Sequence, residues 1–470
     1  MFIRRLRDFQ GSPEPPENHP SAVGLSRPEP SLSRHSRRAG TNPAPTRPAP
    51  LGVWCPGPPC LWRCYATGLS DFGARVTTMA SAVLRGGDWD AVFRARVPAA
   101  WVQAGRSSAV GMRPRTLTFG RKTRRRRRTA ADAVRRQTYP HPYPDGWYRI
   151  ARSSTLRAGE VRYLECLGRQ LVAWRGEDGE AHVSSAFCPH LGANLAFGRV
   201  RGDCLECPFH RWQFTGDGRV AHIPYSDHKP AGTLVETLPV AEVYGQLFLY
   251  HRNRAPNPSV AEWPPYPVPR IAEVDDGTFA YRGHHDGGRV RMHLLEFAEN
   301  AVDRAHFEPL HGQMRFPWTR LGIPGVRIEH AARWELDRDA AWKMHFFDDA
   351  VLRVMGRRIE STGASAHITF HGPSVAKFRF TLPGRGDIEM YQTHLPLGPM
   401  EQHVHFEWFA DRRLPRLLVW YVVGNWITQW QQDIEIWENK IHRPSPRLCR
   451  DDGPVFELRK WYAQFVPEDA

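Results

Sequence analysis

Cysteine is scarce in this chain, with eight in 470 residues: Cys55, Cys60, Cys64, Cys166, Cys188, Cys204, Cys207 and Cys449. That scarcity excludes a disulfide-stapled secreted scaffold. Long apolar runs are missing as well. The best candidate, Leu417 to Ile427 (LLVWYVVGNWI), falls well short of the ~20 residues a bilayer core requires and reads as a buried helix. No signal-peptide apolar stretch opens the sequence. Acidic residues are few at the N-terminal end: residues 1–138 hold 25 Lys/Arg against 8 Asp/Glu, while the remainder holds 39 against 41. The net charge of +15 therefore belongs to that segment alone, and it gives no reason to expect nucleic acid as a partner of the rest.

Residues 1–138 also lack any helix or strand period. Thirteen prolines precede residue 60, and Arg124 to Arg128 is an unbroken arginine run. Such a composition cannot bury enough apolar surface to offset chain entropy. The expectation is a disordered Arg/Pro-rich tail over 1–138 whose removal leaves the folded part intact, with Met79 or Met112 as later starts. Cys55, Cys60 and Cys64 lack the His or Cys partners of a zinc site.

From Tyr139 the pattern changes. Short alternating runs such as VRYLECLG, QLVAWRG and AHVSSAF are punctuated by GEDGE and GDGR, which reads as a small antiparallel β domain over 139–252. A Pro-rich linker follows at 253–269. The last region, 270–470, has a helix-like stretch at Glu296–His306, β-like runs (GVRIEHAARWEL, SAHITF, AKFRFTL, HVHFEWF) and a closing helix from about Pro415 to Lys440. The fold class is α+β: an N-terminal antiparallel β domain, then a helix-grip domain in which a curved antiparallel sheet holds a long C-terminal helix.

Two constellations carry chemistry. Cys188-Pro189-His190 and Cys207-Pro208-Phe209-His210 are short Cys/His pairs, each offering one sulfur and one nitrogen. A Rieske [2Fe–2S] centre needs that set, two thiolates on one iron and two imidazoles on the other. A Cys₂His₂ foursome can also hold zinc, but C-P-H-L-G and C-P-F-H-R-W-Q-F within a β domain favour the cluster. Cys204, three residues before Cys207, has no matching histidine and is expected to be a buried bystander. Gly192 and Phe209 stand where the similar Rieske domains of respiratory complexes carry an extra disulfide between the two loops, so the likeness leans toward the oxygenase type.

The second constellation lies in Glu299-Asn300-Ala301-Val302-Asp303-Arg304-Ala305-His306-Phe307-Glu308-Pro309-Leu310-His311. Two histidines and a carboxylate on one face of Fe(II) form the oxygen-activating facial triad. Asp303 and His306, three apart, share a helical face. His306 and His311 are five apart, about 140° around a regular helix, so Pro309 is expected to break or kink the helix between them. Asp433 is the third ligand preferred, since it follows the apolar run Leu417–Trp430, where an unpaired buried charge is costly. Glu435 and Glu438 are its competitors.

From Tyr139 to Tyr462 the chain resembles the Rieske oxygenases, and among them the cholesterol 7-desaturases of the Neverland family. The resemblance rests on CPHLGANLA, GDCLECPFHRWQF, ENAVDRAHFEPLH and QDIEIWENK. Bacterial ketosteroid hydroxylases are similar and supply the second reading. The resemblance implies a sterol substrate, O₂, a mononuclear Fe(II) beside the cluster, and NAD(P)H electrons arriving through a separate reductase. It implies that Asp303 bridges a cluster histidine and His306, often between the subunits of a homotrimer. It also implies membrane association at the cytosolic face of the endoplasmic reticulum, although the Arg/Pro stretch stands where relatives carry a spanning segment. A reading of another class is an electron carrier with a lipid-binding C-terminal half. Such a carrier needs no second metal, so iron content separates them at about three per chain against two.

The ligand choice has a direct check. Cys207→Ser should abolish the visible absorption of the cluster and Cys204→Ser should leave it, because serine cannot replace a soft thiolate. Bleaching by Cys204→Ser alone would reverse the assignment.

Overall fold

The structure, a computed structural model, describes residues 130–253 and 264–467. Most of the tail expected over 1–138 lies outside the described residues, as do residues 254–263 of the linker.

The tail's last nine residues require a correction. Ala130–Thr138 is a helix, α1, and Arg135 on it is 4% exposed. Its guanidinium donates to the carbonyls of Trp437 at 2.6 Å, Lys440 at 2.8 Å and Arg291 at 3.3 Å. Composition could not reveal this, because the partners lie far along the chain and a lone arginine has no period.

The first domain is built from eleven short strands: β1 (Gly146–Arg152), β2 (Val161–Cys166), β3 (Arg169–Arg175), β4 (Ala181–Ser185), β5 (Arg199–Arg201), β6 (Cys204–Glu206), β7 (Gln213–Phe214), β8 (Val220–His222), β9 (Thr237–Leu238), β10 (Val240–Val243) and β11 (Gln246–His251). They form three antiparallel sheets, β1-β11-β10, β2-β3-β4-β9 and β5-β6-β7-β8. Tyr148, Ile150, Leu164, Leu171, Leu247 and Leu249 make one core. A second, under the small β5–β8 sheet, holds Trp174, Leu195, Leu205, Trp212 and Phe214.

The second domain begins with α2 (Ala272–Asp275), β12 (Phe279–Val290), α3 (Leu295–Glu299) and a single π-type turn at Phe307–His311. Seven strands follow: β13 (Gln313–Arg315), β14 (Gly322–Leu336), β15 (Lys343–Val354), β16 (Arg357–His371), β17 (Val375–Leu382), β18 (Gly386–Gly398) and β19 (Glu401–Asp411). With β12 they make one antiparallel sheet of eight strands, ordered β12-β19-β18-β17-β16-β15-β14-β13. Alternation sets the faces: on β17 Phe378 and Phe380 are buried while Lys377 and Arg379 are half-buried on the other side. The long helix α4 (Arg416–Trp437) and the short α5 (Val455–Ala463) complete the chain.

α4 buries Val419, Val423, Ile427, Trp430 and Trp437, a stripe at the 3.6-residue period. Trp426 meets Phe378 at 4.8 Å and Trp430 meets Phe406 at 4.9 Å, so the helix lies on the sheet's apolar face. Gly424 allows the close approach of Trp318, whose indole nitrogen lies 2.3 Å from where a Cβ would stand. No helix among the described residues is long and apolar enough to cross a membrane.

Loss of the Arg135 clamp should therefore matter. Arg135→Ala strips three carbonyls of a charged donor and is expected to cost about 2–4 kcal/mol, read as a lower melting temperature. An unchanged melting temperature would restore the expendable-tail reading.

Candidate metal centres

The cluster residues sit on two loops of the first domain. Cys188 N donates to Ala193 O and Gly192 N to Cys188 O, each at 2.9 Å, which closes the first loop. Gly192 turns it at φ +73°. Cys207 N donates to Trp212 O at 2.8 Å across the second loop, where Arg211 takes φ +62°. The loops bring the two thiols into mutual contact: Cys207 is held down, to about 6, chiefly by its hydrogen bond with Cys188, and Cys188 is pushed up by the same bond and by burial. His190 and His210 lie with ring centroids 4.5 Å apart, and His190 stacks on Trp212 at 4.6 Å. The thiols are buried and the imidazoles half-exposed. Two buried thiols and two half-buried imidazoles match the donor set of a Rieske centre, and His190 Nδ1 is buried with no hydrogen-bond partner.

Cys204 is on β6, paired with Arg201. It is half-exposed rather than buried as expected, because it borders the β5–β6 turn at the rim of the small sheet.

The second constellation converges in the other domain. One ligand atom each from His306, His311 and Asp433 falls within 4.8 Å of the others. Contrary to the expected helix over Glu296–His306, α3 stops at Glu299 and a π-type turn spans Phe307–His311. Such a turn is wider than an α-helical one and has an i→i+5 register, so residues five apart come to one side. That, rather than a break at Pro309, aligns His306 with His311, their rings 5.0 Å apart. Asp433 sits on the inward side of α4, with Oδ1 3.0 Å from His311 Nε2. The two are close but misaligned, and Asp433 Oδ1, His306 Nδ1 and His311 Nδ1 are all buried without hydrogen-bond partners. A carboxylate and two imidazoles with unmet valences at this spacing fit a metal ion. Glu435 pairs with Arg320 instead, and Glu438 accepts from Arg291 N.

Asp303 Oδ2 lies 3.7 Å from His306 Nδ1, too far for a hydrogen bond, and its side chain is 55% exposed. Contact with His306 holds the Asp303 carboxyl below its usual range. Burial lowers His306, but Asp303 and Asp433 outweigh it and raise the imidazole overall. Among the described residues, Asp303 has no contact with His190 or His210.

Sequence reasoning missed Asn300. Its amide reaches Asp433 Oδ2 at 3.3 Å and His306 Nε2 at 3.5 Å. Its only signal was a place three residues before Asp303. The triad opens on a cavity walled by Phe297, Phe307, Phe346, Phe370, Phe378, Trp426, Trp430 and Trp437. Gln392 and Gln429 are its polar wall groups besides Asn300 and the triad.

Comparison with known proteins agrees with this division. Residues 146–241 match the Rieske [2Fe-2S] domain, and residues 255–466 match the 3-ketosteroid 9alpha-hydroxylase C-terminal domain. The cholesterol 7-desaturase of Drosophila melanogaster is 34% identical over 346 residues, 70% of this chain and 77% of that protein. A probable 3-ketosteroid-9-alpha-monooxygenase oxygenase component of Rhodococcus rhodochrous is 31% identical over 343 residues, 70% of this chain and 81% of that protein. The fold is that of the Pseudomonas putida CBB5 NdmA QL mutant solved with theobromine, at TM-score 0.50 and 16% identity, covering 67% of this chain and 88% of that one. With a Rieske domain followed by a 3-ketosteroid 9alpha-hydroxylase C-terminal domain, and relatives of this kind along most of its folded length, the chain belongs to the Rieske non-haem iron oxygenases.

Proposed function

We propose that this oxygenase acts on a sterol, as a cholesterol 7-desaturase that removes hydrogens from C7 and C8 to give 7-dehydrocholesterol. The cavity carries the reading. Eight Phe and Trp walls suit a flat, rigid hydrocarbon, while Gln392 and Gln429 can receive the single oxygen of such a molecule. Likeness to the Drosophila enzyme supports the same substrate class. A ketosteroid-type hydroxylase is the second reading, favoured by the match of residues 255–466 to the 3-ketosteroid 9alpha-hydroxylase C-terminal domain. Both reactions begin by taking a hydrogen from the ring system.

In this reading Cys188, His190, Cys207 and His210 hold the cluster within a domain at 139–252, and His306, His311 and Asp433 hold Fe(II) within the domain at 270–470. Together the two groups supply one-electron delivery and O₂ activation, with electrons arriving from a separate reductase that draws on NAD(P)H. The chain's own residues do the rest. The aromatic walls exclude water and orient the substrate. Asn300 holds Asp433 Oδ2 in place. Asp303, beside His306 Nδ1, raises the basicity of that imidazole through its negative charge. Half of the Asp303 side chain faces solvent in the single chain, which suits a bridge to a cluster histidine of a neighbouring copy, so the assembly is a homotrimer. The site of action is the cytosolic face of the endoplasmic reticulum, with peripheral attachment.

Feeding cholesterol to cells that express the chain should yield the 7-dehydro product. A hydroxylated steroid instead would favour the second reading, and no turnover of either class would reject both. Asp303→Asn keeps size and loses charge; it should retain about three irons per chain and a reducible cluster, yet lose most product. Normal turnover would remove the bridging role, whereas a fall to about two irons would make Asp303 a direct ligand in place of Asp433.

A further inference from the structure

β14, β15 and β16 run past the rest of the sheet. β17 pairs with β16 only from Ser365 onward, so Arg357 to Ala364 has only β15 beside it. The three strands thus form an arm that, followed along β15 from Ala350 to Val354, reaches roughly 17 Å beyond β17 at ~3.4 Å per residue. At its tip Met355 is 83% exposed and Val354 37%, with Met355 N donating to Gly325 O at 2.7 Å. The β13–β14 turn, at the same end of β14, exposes Leu321 to 62% and Phe316 to 43%. Large apolar side chains this exposed, gathered on one edge, call for a partner.

Charge narrows the partner. Arg353 and Arg358 share the carboxylate of Glu329, at 2.7 and 2.9 Å, and Arg358 also pairs with Glu360 at 2.7 Å. Arg357 between them is exposed and has no acidic partner among the described residues. An edge of apolar tips ringed by excess arginine complements anionic lipid headgroups over an acyl boundary.

The arm is also continuous with the cavity. Phe346, a cavity wall, shares one face of β15 with Asp348, Ala350, Leu352 and Val354. Opposite them on β14 stand Trp334, Ala332, His330, Ile328 and Val326. Along this face Phe346 and Asp348 are 4% exposed and Ile328 8%, and Val354 at the tip is 37% exposed.

We propose that the arm tip docks on an anionic phospholipid bilayer, with Met355 and Leu321 entering the interface, and that an apolar substrate leaves the bilayer along this face toward the metal cavity. The substrate half of this inference rests on the sterol reading; the docking half does not.

Co-flotation of the full-length, metal-loaded protein with vesicles tests the docking half without any turnover. The protein should float with phosphatidylcholine/phosphatidylserine vesicles, weakly with phosphatidylcholine alone, and less at high salt. Met355→Asp with Leu321→Asp should reduce flotation about tenfold or more, with the cluster spectrum intact as proof of folding. Arg357→Glu should weaken binding to the charged vesicles only. Absence of flotation by the parent protein, or equal flotation by the double variant, overturns the proposal. A change in oligomeric state in that double variant also overturns it, because the edge would then join copies of this chain. A protein that floats as described but leaves cholesterol untouched would retain the docking surface and reject the sterol reading.

Discussion

A carboxylate buried among tryptophans sets the terms for the catalytic domain. Asp433 is 6% exposed, flanked along its helix by Trp430 and Trp437, and one of its oxygens lacks a hydrogen-bond partner. An ionised group so placed carries a desolvation cost of several kcal/mol unless charge and hydrogen bonds compensate it. The surrounding elements are arranged to do so. The π-type turn brings two imidazoles, Asn300 brings an amide, and a metal ion would supply the charge that none of these can. α4 in turn cannot slide, since Arg135 grips its last carbonyl, that of Trp437, and Trp318 fits against Gly424. Fixing the helix fixes the carboxylate.

The overall architecture was legible where periodicity was strong. Alternation along VAKFRFTL marked a strand with one apolar face, and the stripe through Val419, Val423, Ile427 and Trp430 marked the closing helix. Legibility failed where tertiary contacts override local preference. The helix expected to reach His306 ends at Glu299, and the segment after it packs against the C-terminal chain so tightly that a Cβ on Gly453 would collide with the Val302 carbonyl. The role of Arg135 was invisible for a similar reason. Its neighbours in sequence look like the rest of an arginine-rich tail, and only the fold supplies the helix end that needs a donor.

Side chains with ligand chemistry announce themselves by type and spacing, whereas those that orient ligands do not. Cys188, His190, Cys207 and His210 stand out because thiols and imidazoles are rare and here come in two short pairs. Asn300 is one amide among many, and its meaning depends on two contacts across 133 and 6 residues. Asp303 lies between these cases. Its spacing from His306 is readable in the sequence, yet its half-exposed carboxylate lies 3.7 Å from that imidazole, short of a hydrogen bond, and only the fold shows this.

The π-type turn joins the ligand pair to the sheet. An isolated turn of this kind is a poor local minimum, so it persists only where other contacts over-determine it. Here Ile328 N on β14 donates to Gly312 O just past the turn at 2.9 Å, and Arg327 pairs with Glu308 inside it. Phe307 stacks on Phe346 at 5.7 Å and touches His330 at 4.9 Å, wedging the turn against β14 and β15. The strands that brace the histidine-bearing turn are therefore those that project as the arm. A force or ligand acting on the arm meets the histidine pair through one layer of packed side chains, and the wall of the cavity, the seat of the turn and the exposed edge are parts of a single three-stranded unit.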